Sequence, residues 1–173
     1  VARLDANGNL DPGFGRGGVV RLHADLKIPL ETLETRGTNG IAPTAVGGLV
    51  VATGKALVGL APDGSFAAGF GKDGQVALGG FARALTQLPG GKLVVAENSV
   101  EFPFEEPRYV VLARYLPEGA PDPSFGDGGK LEPAPLAEAT PIALAPAPGE
   151  AALLAGEKRP AAECHGFYHR IVF

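Results

Sequence analysis

Phe14-Gly15-Arg16-Gly17-Gly18 returns as Phe70-Gly71-Lys72-Asp73-Gly74 and again as Phe125-Gly126-Asp127-Gly128-Gly129, at spacings of 56 and 55 residues. The flanks return in phase. Six residues before each Phe lies a turn glycine, in Asn7-Gly8, Asp63-Gly64 and Glu118-Gly119. Upstream of these turns run Val1-Ala2-Arg3-Leu4, Ala56-Leu57-Val58-Gly59-Leu60 and Val110-Val111-Leu112-Ala113-Arg114-Tyr115. Downstream, a second glycine turn (Gly47-Gly48, Gly90-Gly91, Gly149-Glu150) leads into Leu49-Val50-Val51-Ala52, Leu93-Val94-Val95-Ala96 and Ala152-Leu153-Leu154-Ala155. Self-similarity at a fixed period is the signature of a repeat architecture.

Each unit reads as four short strands. The first ends at the Asn-Gly-type turn, whose residues supply the positive φ that tight hairpins need. The second follows the Phe-Gly corner. The third precedes the second glycine turn, as in Ala82-Arg83-Ala84-Leu85-Thr86-Gln87-Leu88, and the fourth follows it. Four strands in a period of about 40 to 60 residues predict an all-β, β-propeller-like fold of about three four-stranded units. The units fall at 1–55, 56–108 and 109–166, with the start of a fourth at 167–173, where Arg170 takes the place of Arg114. Closed propellers have about four to eight blades, so three units predict a part of a larger ring, completed by more chain or by a second copy. No convincing amphipathic helix is present. Leu26 to Glu34 reads as a short helix or a loop insertion.

Composition agrees with strands and turns. Glycine and proline number 26 and 16, and they alternate with apolar runs in a chain that is 45% hydrophobic. A net charge of −4 argues against nucleic acid and an anionic membrane as direct partners. No apolar run reaches the roughly 18 residues of a spanning helix. Cys164 is the only cysteine, so an intrachain disulfide is excluded. The sequence has no Met, so residue 1 is not a translation start, and no basic, then apolar, signal segment opens it.

The pattern Arg-Leu-x-x-Asn-Gly-x-Leu-Asp-Pro-x-Phe-Gly-x-x-Gly-Val-Val at Arg3 to Val20 resembles the bacterial delta-60 repeat family. So does Arg114 to Gly129, with Asp122-Pro123-Ser124-Phe125-Gly126. The middle copy departs: Gly59 replaces the Arg, and Ala67-Ala68 replaces the Asp-Pro. The resemblance covers nearly the whole chain. It implies a propeller-like fold in large exported or surface-associated bacterial proteins. It brings no general enzymatic activity, and so no catalytic residues.

Motifs that suggest chemistry have simpler readings. Gly13-Phe14-Gly15-Arg16-Gly17-Gly18 matches a phosphate-cradling loop, but so does Gly69 to Gly74, and one corner per unit is a structural device. Gly48 to Lys55 has the wrong spacing for a P-loop, and Ala56 stands where a Ser or Thr would hold magnesium. Asp5, Asn7, Asn9 and Asp11 cluster like calcium ligands, yet their glycine is misplaced and the middle copy has Ala61 and Ala67 in place of Asp5 and Asp11; an Asx turn explains them. Cys164, His165 and His169 suggest zinc or a thiolate–base pair. On a strand the two histidines are about 13 Å apart, too far for one metal. Ser65, Ser99 and Ser124 stand outside any G-x-S-x-G elbow. These readings predict no catalytic residues, no cofactor and no metal.

Glu101 to Arg108 is the widest departure between the second and third units. Its Phe102, Phe104, Glu105 and Arg108 form a candidate partner-contact loop, because exposed aromatics flanked by charge suit an interface. The expected function is a non-catalytic binding or structural module of an exported or cell-envelope bacterial assembly. Its partner is another protein or further copies of the chain, with membrane contact only indirect. The rivals are a carbohydrate-binding propeller, which needs an exposed aromatic repeated in each unit, and a hydrolase or lyase with catalytic groups converging in a central channel.

Overall fold

The computed structural model describes residues 1–29, 39–98, 109–136, 139–158 and 165–169. The first sheet is β1 (Ile41–Pro43), β2 (Leu49–Ala52), β3 (Ala56–Leu60) and β4 (Gln75–Ala77), in that order. The second is β5 (Phe81–Gln87), β6 (Leu93–Asn98), β7 (Val110–Tyr115) and β8 (Lys130–Leu131). The third is β9 (Ala139–Ala147), β10 (Ala151–Lys158) and β11 (His165–His169). All neighbours are antiparallel. Ahead of them, Ala2 bridges Val19 and Leu4 bridges Leu10. The chain is thus all-β with little helix. Among the described residues no helix is long and apolar enough to cross a membrane.

The hydrogen-bonded sheets are cut half a period away from the sequence units. Each begins with the third strand of one unit and continues into the first and second strands of the next. The ladders show why. The tight glycine turns join β1 to β2 and β5 to β6, while the Phe-Gly corner joins β3 to β4 and β7 to β8. The ladders also move one alignment by a residue: two residues before Leu49 and Leu93, Gly91 stands in the place of Gly47 rather than Gly48. At the last edge, Leu154 pairs with His169 as Val95 pairs with Ala113, so residue 169 holds the place of Ala113. Arg170 itself lies outside the described residues.

The inner strands β2, β3 and β6 are buried on both faces, as their unbroken Val/Leu/Ala runs require. Of the four apolar clusters among the described residues, three are each built around one corner phenylalanine. Phe14 packs with Val51, Val58 and Leu60 of the first sheet. Phe70 packs with Val50 and Leu57 of the first sheet and with Leu85, Leu93, Val95 and Tyr115 of the second. Phe125 packs with Ala96 and Leu112 of the second and Leu154 of the third. The core is therefore a series of layers between successive sheets. Of the helix or loop insertion expected at Leu26 to Glu34, the helix falls earlier: α1 spans Leu22–Leu26, and Lys27 at φ 59° ends it in a left-handed cap. Residues 30–34 are outside the described set.

Candidate interaction surfaces

The corner glycines are fixed by the turn itself. Gly15, Gly71 and Gly126 have φ of 56°, 52° and 54°, and a Cβ on each would overlap the carbonyl oxygen of Val19, Gln75 or Lys130. With no side chain there, the amides of Gly15 and Gly71 reach the next sheet. They donate to the carbonyls of Asp63 and Glu118, both at 2.8 Å. The turn glycines Gly64 and Gly119 seat against this contact, where a Cβ would meet Cγ2 of Val20 at 2.6 Å and of Val76 at 2.7 Å. Gly8 occupies the same turn position, with its amide bonded to Asp5 as that of Gly64 is to Ala61. Nothing lies within 4 Å of its Cβ position.

The same contrast runs through the side chains. Leu4 bridges Leu10 as Leu60 bridges Phe66 and Tyr115 bridges Pro121, yet Leu4 is 59% exposed while Leu60 and Tyr115 are 1% and 4% exposed. Ala2 is exposed, where Val58 and Ala113 are buried. At the other end, Leu153 holds the ladder place of Val50 and Val94; it is 38% exposed and they are 1% exposed. Ala145 opposite it is exposed, where Ala42 and Thr86 are buried. The two outer sheet faces are thus apolar and open, at positions that the inner junctions bury.

The two inner junctions differ in chemistry. Between the second and third sheets, Arg114 Nε donates to Asp122 Oδ2 at 2.8 Å, its Nη2 donates to Ser124 Oγ at 3.0 Å, and its guanidinium lies 4.7 Å over the Phe125 ring. Lys92 Nζ joins Asp122 at 3.3 Å and Glu150 at 3.1 Å. Hydrogen bonds from Ser124, with Lys92 and Arg114 beside it, hold the Asp122 carboxyl well below the usual carboxylate range. Glu150, then Asp122, raise Lys92 above an ordinary lysine. Arg3 repeats the motif at the first corner: it donates to Asp11 at 2.9 Å, stacks 4.9 Å over Phe14 and donates to the carbonyl of Pro62.

Between the first and second sheets the charges are gone. Gly59 pairs with Val50 as Arg114 pairs with Val94, and the Ala67 amide bonds the Gly59 carbonyl as that of Asp122 bonds Arg114. A cleft of about 900 Å³ opens there, walled by Leu49, Leu60, Phe70, Leu88 and Leu93 and by Pro43, Pro62, Pro89 and Pro117. The signal for it was in the sequence, in the departures at Gly59 and Ala67. Its meaning needed the sheet order, which sets these positions at a junction.

Phe102, Phe104, Glu105 and Arg108 lie outside the described residues, as does Cys164. His165 and His169 stand in β11, at ladder positions opposite Lys158 and Leu154. Among the described residues no three His, Cys, Asp or Glu gather as a metal site. The Asp5 cluster is bonded internally: Asp5 Oδ1 accepts from the amides of Asn7 and Asn9, both at 2.9 Å, and Asp11 is taken by Arg3 and the Gly13 amide. Ser65 and Ser124 donate to Asp63 and Asp122 within their turns.

A family model described as "Domain of unknown function (DUF5122) beta-propeller" matches residues 1–14. No curated protein matches the chain. Among solved structures, the crystal structure of a protein of unknown function from Bacteroides caccae is similar over 79% of this chain and 61% of that one, at 15% identity and a TM-score of 0.34. The chain therefore spans less than two thirds of that structure's length.

Proposed function

We propose that this chain is a non-catalytic segment of a β-propeller-like repeat body that works through protein–protein contacts in an exported or cell-envelope bacterial assembly. The observation that carries this reading is the pair of open sheet faces. Leu4 at one end and Leu153 at the other are exposed at places where Leu60, Tyr115, Val50 and Val94 are buried. The same contacts that join the inner sheets suit these outer faces. Gly8 offers the turn that Gly64 and Gly119 present to a corner, and Ala145 with Leu153 offers the face that Ala42 with Val50 presents to the next sheet. Apolar faces of this kind mark interaction surfaces or aggregate when left uncovered. The partner is a protein presenting the complementary sheet face, and a further copy of the chain is the simplest supply of one. The family match and the resemblance of the repeat agree with the propeller architecture.

Light scattering across a concentration series tests the reading. The wild-type chain is expected to associate above its 17.6 kDa monomer mass. Leu4→Glu and Leu153→Glu, each placing a charge on one outer face, should shift it toward monomer. A wild-type chain that stays monomeric throughout and melts cooperatively overturns the proposal.

A further inference from the structure

The junction between the second and third sheets is filled by four charged groups, Lys92, Arg114, Asp122 and Glu150, bonded in a row from 2.8 to 3.3 Å. The equivalent positions between the first and second sheets are Gly48, Gly59, Ala67 and Gly91. Each equivalence is set by backbone hydrogen bonds. Gly48 and Lys92 precede Leu49 and Leu93, which pair with Leu60 and Tyr115. Gly91 and Glu150 share the positive-φ place of the hairpin turn, at 90° and 59°. All four charges have been replaced by the smallest residues, while the corner, the phenylalanine and the turn glycine are retained. Gly59, Ala67 and Gly91 line the cleft of about 900 Å³ left by these replacements, and its walls are leucine, proline and the Phe70 ring.

We infer that this cleft is a binding site for an uncharged, mainly apolar small molecule. Its volume falls in the range of about 300–1,000 Å³ typical of small-molecule sites. Its interior disfavours an ionic ligand, because no ionic group stands at the places that hold Arg114 and Asp122 next door, and an unpaired charge there would be desolvated without compensation; Glu118, exposed at the rim, is the charged residue of the lining. The polar options are few. Gln87 lines the cleft with its Nε2 given to the Gly91 carbonyl at 3.3 Å, and Thr44 lines it with a buried Oγ1 that has no hydrogen-bond partner. The Phe70 ring packs directly against Gly59, leaving without a cation the side that Arg3 and Arg114 cover at Phe14 and Phe125. The prolines give rigid walls that need little ordering when a ligand enters.

The test is titration of the chain with N-phenyl-1-naphthylamine, an uncharged apolar dye that fluoresces when it leaves water. Saturable binding of one dye per chain is expected. Restoring the ion pair with Gly59→Arg and Ala67→Asp together should weaken binding by about tenfold or more. The arginine Cβ must displace the Phe70 ring, so a second variant, Ala67→Phe, fills the same space with the backbone unchanged and should weaken binding equally. Leu4→Glu and Leu153→Glu, on the outer faces, should leave dye binding unchanged, which separates the cleft from the association surfaces. Absence of saturable binding overturns the inference. So does equal binding by wild type and Ala67→Phe, or loss of binding in the outer-face variants alone.

Discussion

Gly71 donates its amide hydrogen to the carbonyl oxygen of Glu118, 2.8 Å away, and so ties the corner between β3 and β4 to the turn between β7 and β8. Gly15 makes the same bond to Asp63 one junction earlier. Both bonds are backbone to backbone, so the facing residue is free to vary, and it is Asp in one case and Glu in the other. The donor is not free. At φ 52° a side chain is strained, and a Cβ on Gly71 would overlap the Gln75 carbonyl.

Two neighbouring glycines separate these effects. Gly69 has φ 83° but open space around it, so Gly69→Ala should cost only the left-handed penalty of about 1–2 kcal/mol. Gly71→Ala adds the steric overlap and the loss of the inter-sheet bond, and should cost more than about 3 kcal/mol. Urea unfolding of the two variants checks the difference. Equal costs would show that the corner adapts and that the bond to Glu118 contributes little.

The corner phenylalanines carry the layers between sheets. Each is buried in its own cluster, so Phe14→Ala, Phe70→Ala or Phe125→Ala should each cost about 3–5 kcal/mol. Substitution by leucine discriminates among them. Phe125→Leu removes the ring under the Arg114 guanidinium as well as packing area, an added loss of about 0.5–2 kcal/mol. The Phe70 ring is packed against Gly59 instead, so Phe70→Leu should be the milder of the two. Thermal melts of the pair provide the measurement.

The strands, the turns and the buried corners were legible because their signals are local. Positive φ demands glycine at Gly64 and Gly119, and two-sided burial demands runs such as Leu93-Val94-Val95-Ala96. The sheet boundaries were less so. A period can be cut anywhere, and only the ladder between β3 and β4 shows that a sheet ends after the corner. The cleft was harder still. Gly59 and Ala67 read as a weakened copy of the motif until the fold set them beside Gly91, a turn away in the next sheet. The loop containing Phe102 and Phe104 stands out as the widest departure between two units, and it lies outside the described residues.

The two Arg–Asp pairs should respond differently to mutation and to acid. Arg114 and Asp122 are buried, whereas Arg3 and Asp11 are about one-third exposed. Asp122→Ala leaves a buried guanidinium and the Lys92 ammonium without their shared carboxylate, so it should lower the melting temperature more than Asp11→Ala. The folded state holds the Asp122 carboxyl below its unfolded value, so the folded state binds fewer protons. Its contribution is present above the ordinary aspartate value of 3.8 and is lost as pH falls below it. Melts from pH 6 down to pH 2 should show a steeper decline for wild type than for Asp122→Asn. Parallel curves would show that the carboxylate is not a source of acid sensitivity.

Glu97 sets the opposite slope. It is buried in β6 and accepts the Gly80 amide on Oε2 at 2.7 Å, while its Oε1 has no hydrogen-bond partner. Burial raises its carboxyl above the ordinary value of 4.5, against the opposing pull of the Gly80 amide and the nearby Lys130 charge. The folded state therefore binds the proton more tightly than the unfolded chain. Stability is greatest below the ordinary glutamate value and declines as pH rises through the interval up to the raised folded value. Glu97→Gln keeps an oxygen for the Gly80 amide and removes the ionisation. Its melting temperature should match wild type near pH 4, exceed it at pH 8, and vary less between the two. Glu97→Ala, which leaves the Gly80 amide without an acceptor, should be destabilised at both pH values. A Gln variant that is less stable than wild type at pH 8 would show that the ionised Glu97 is compensated by Lys130, and that the slope has another origin.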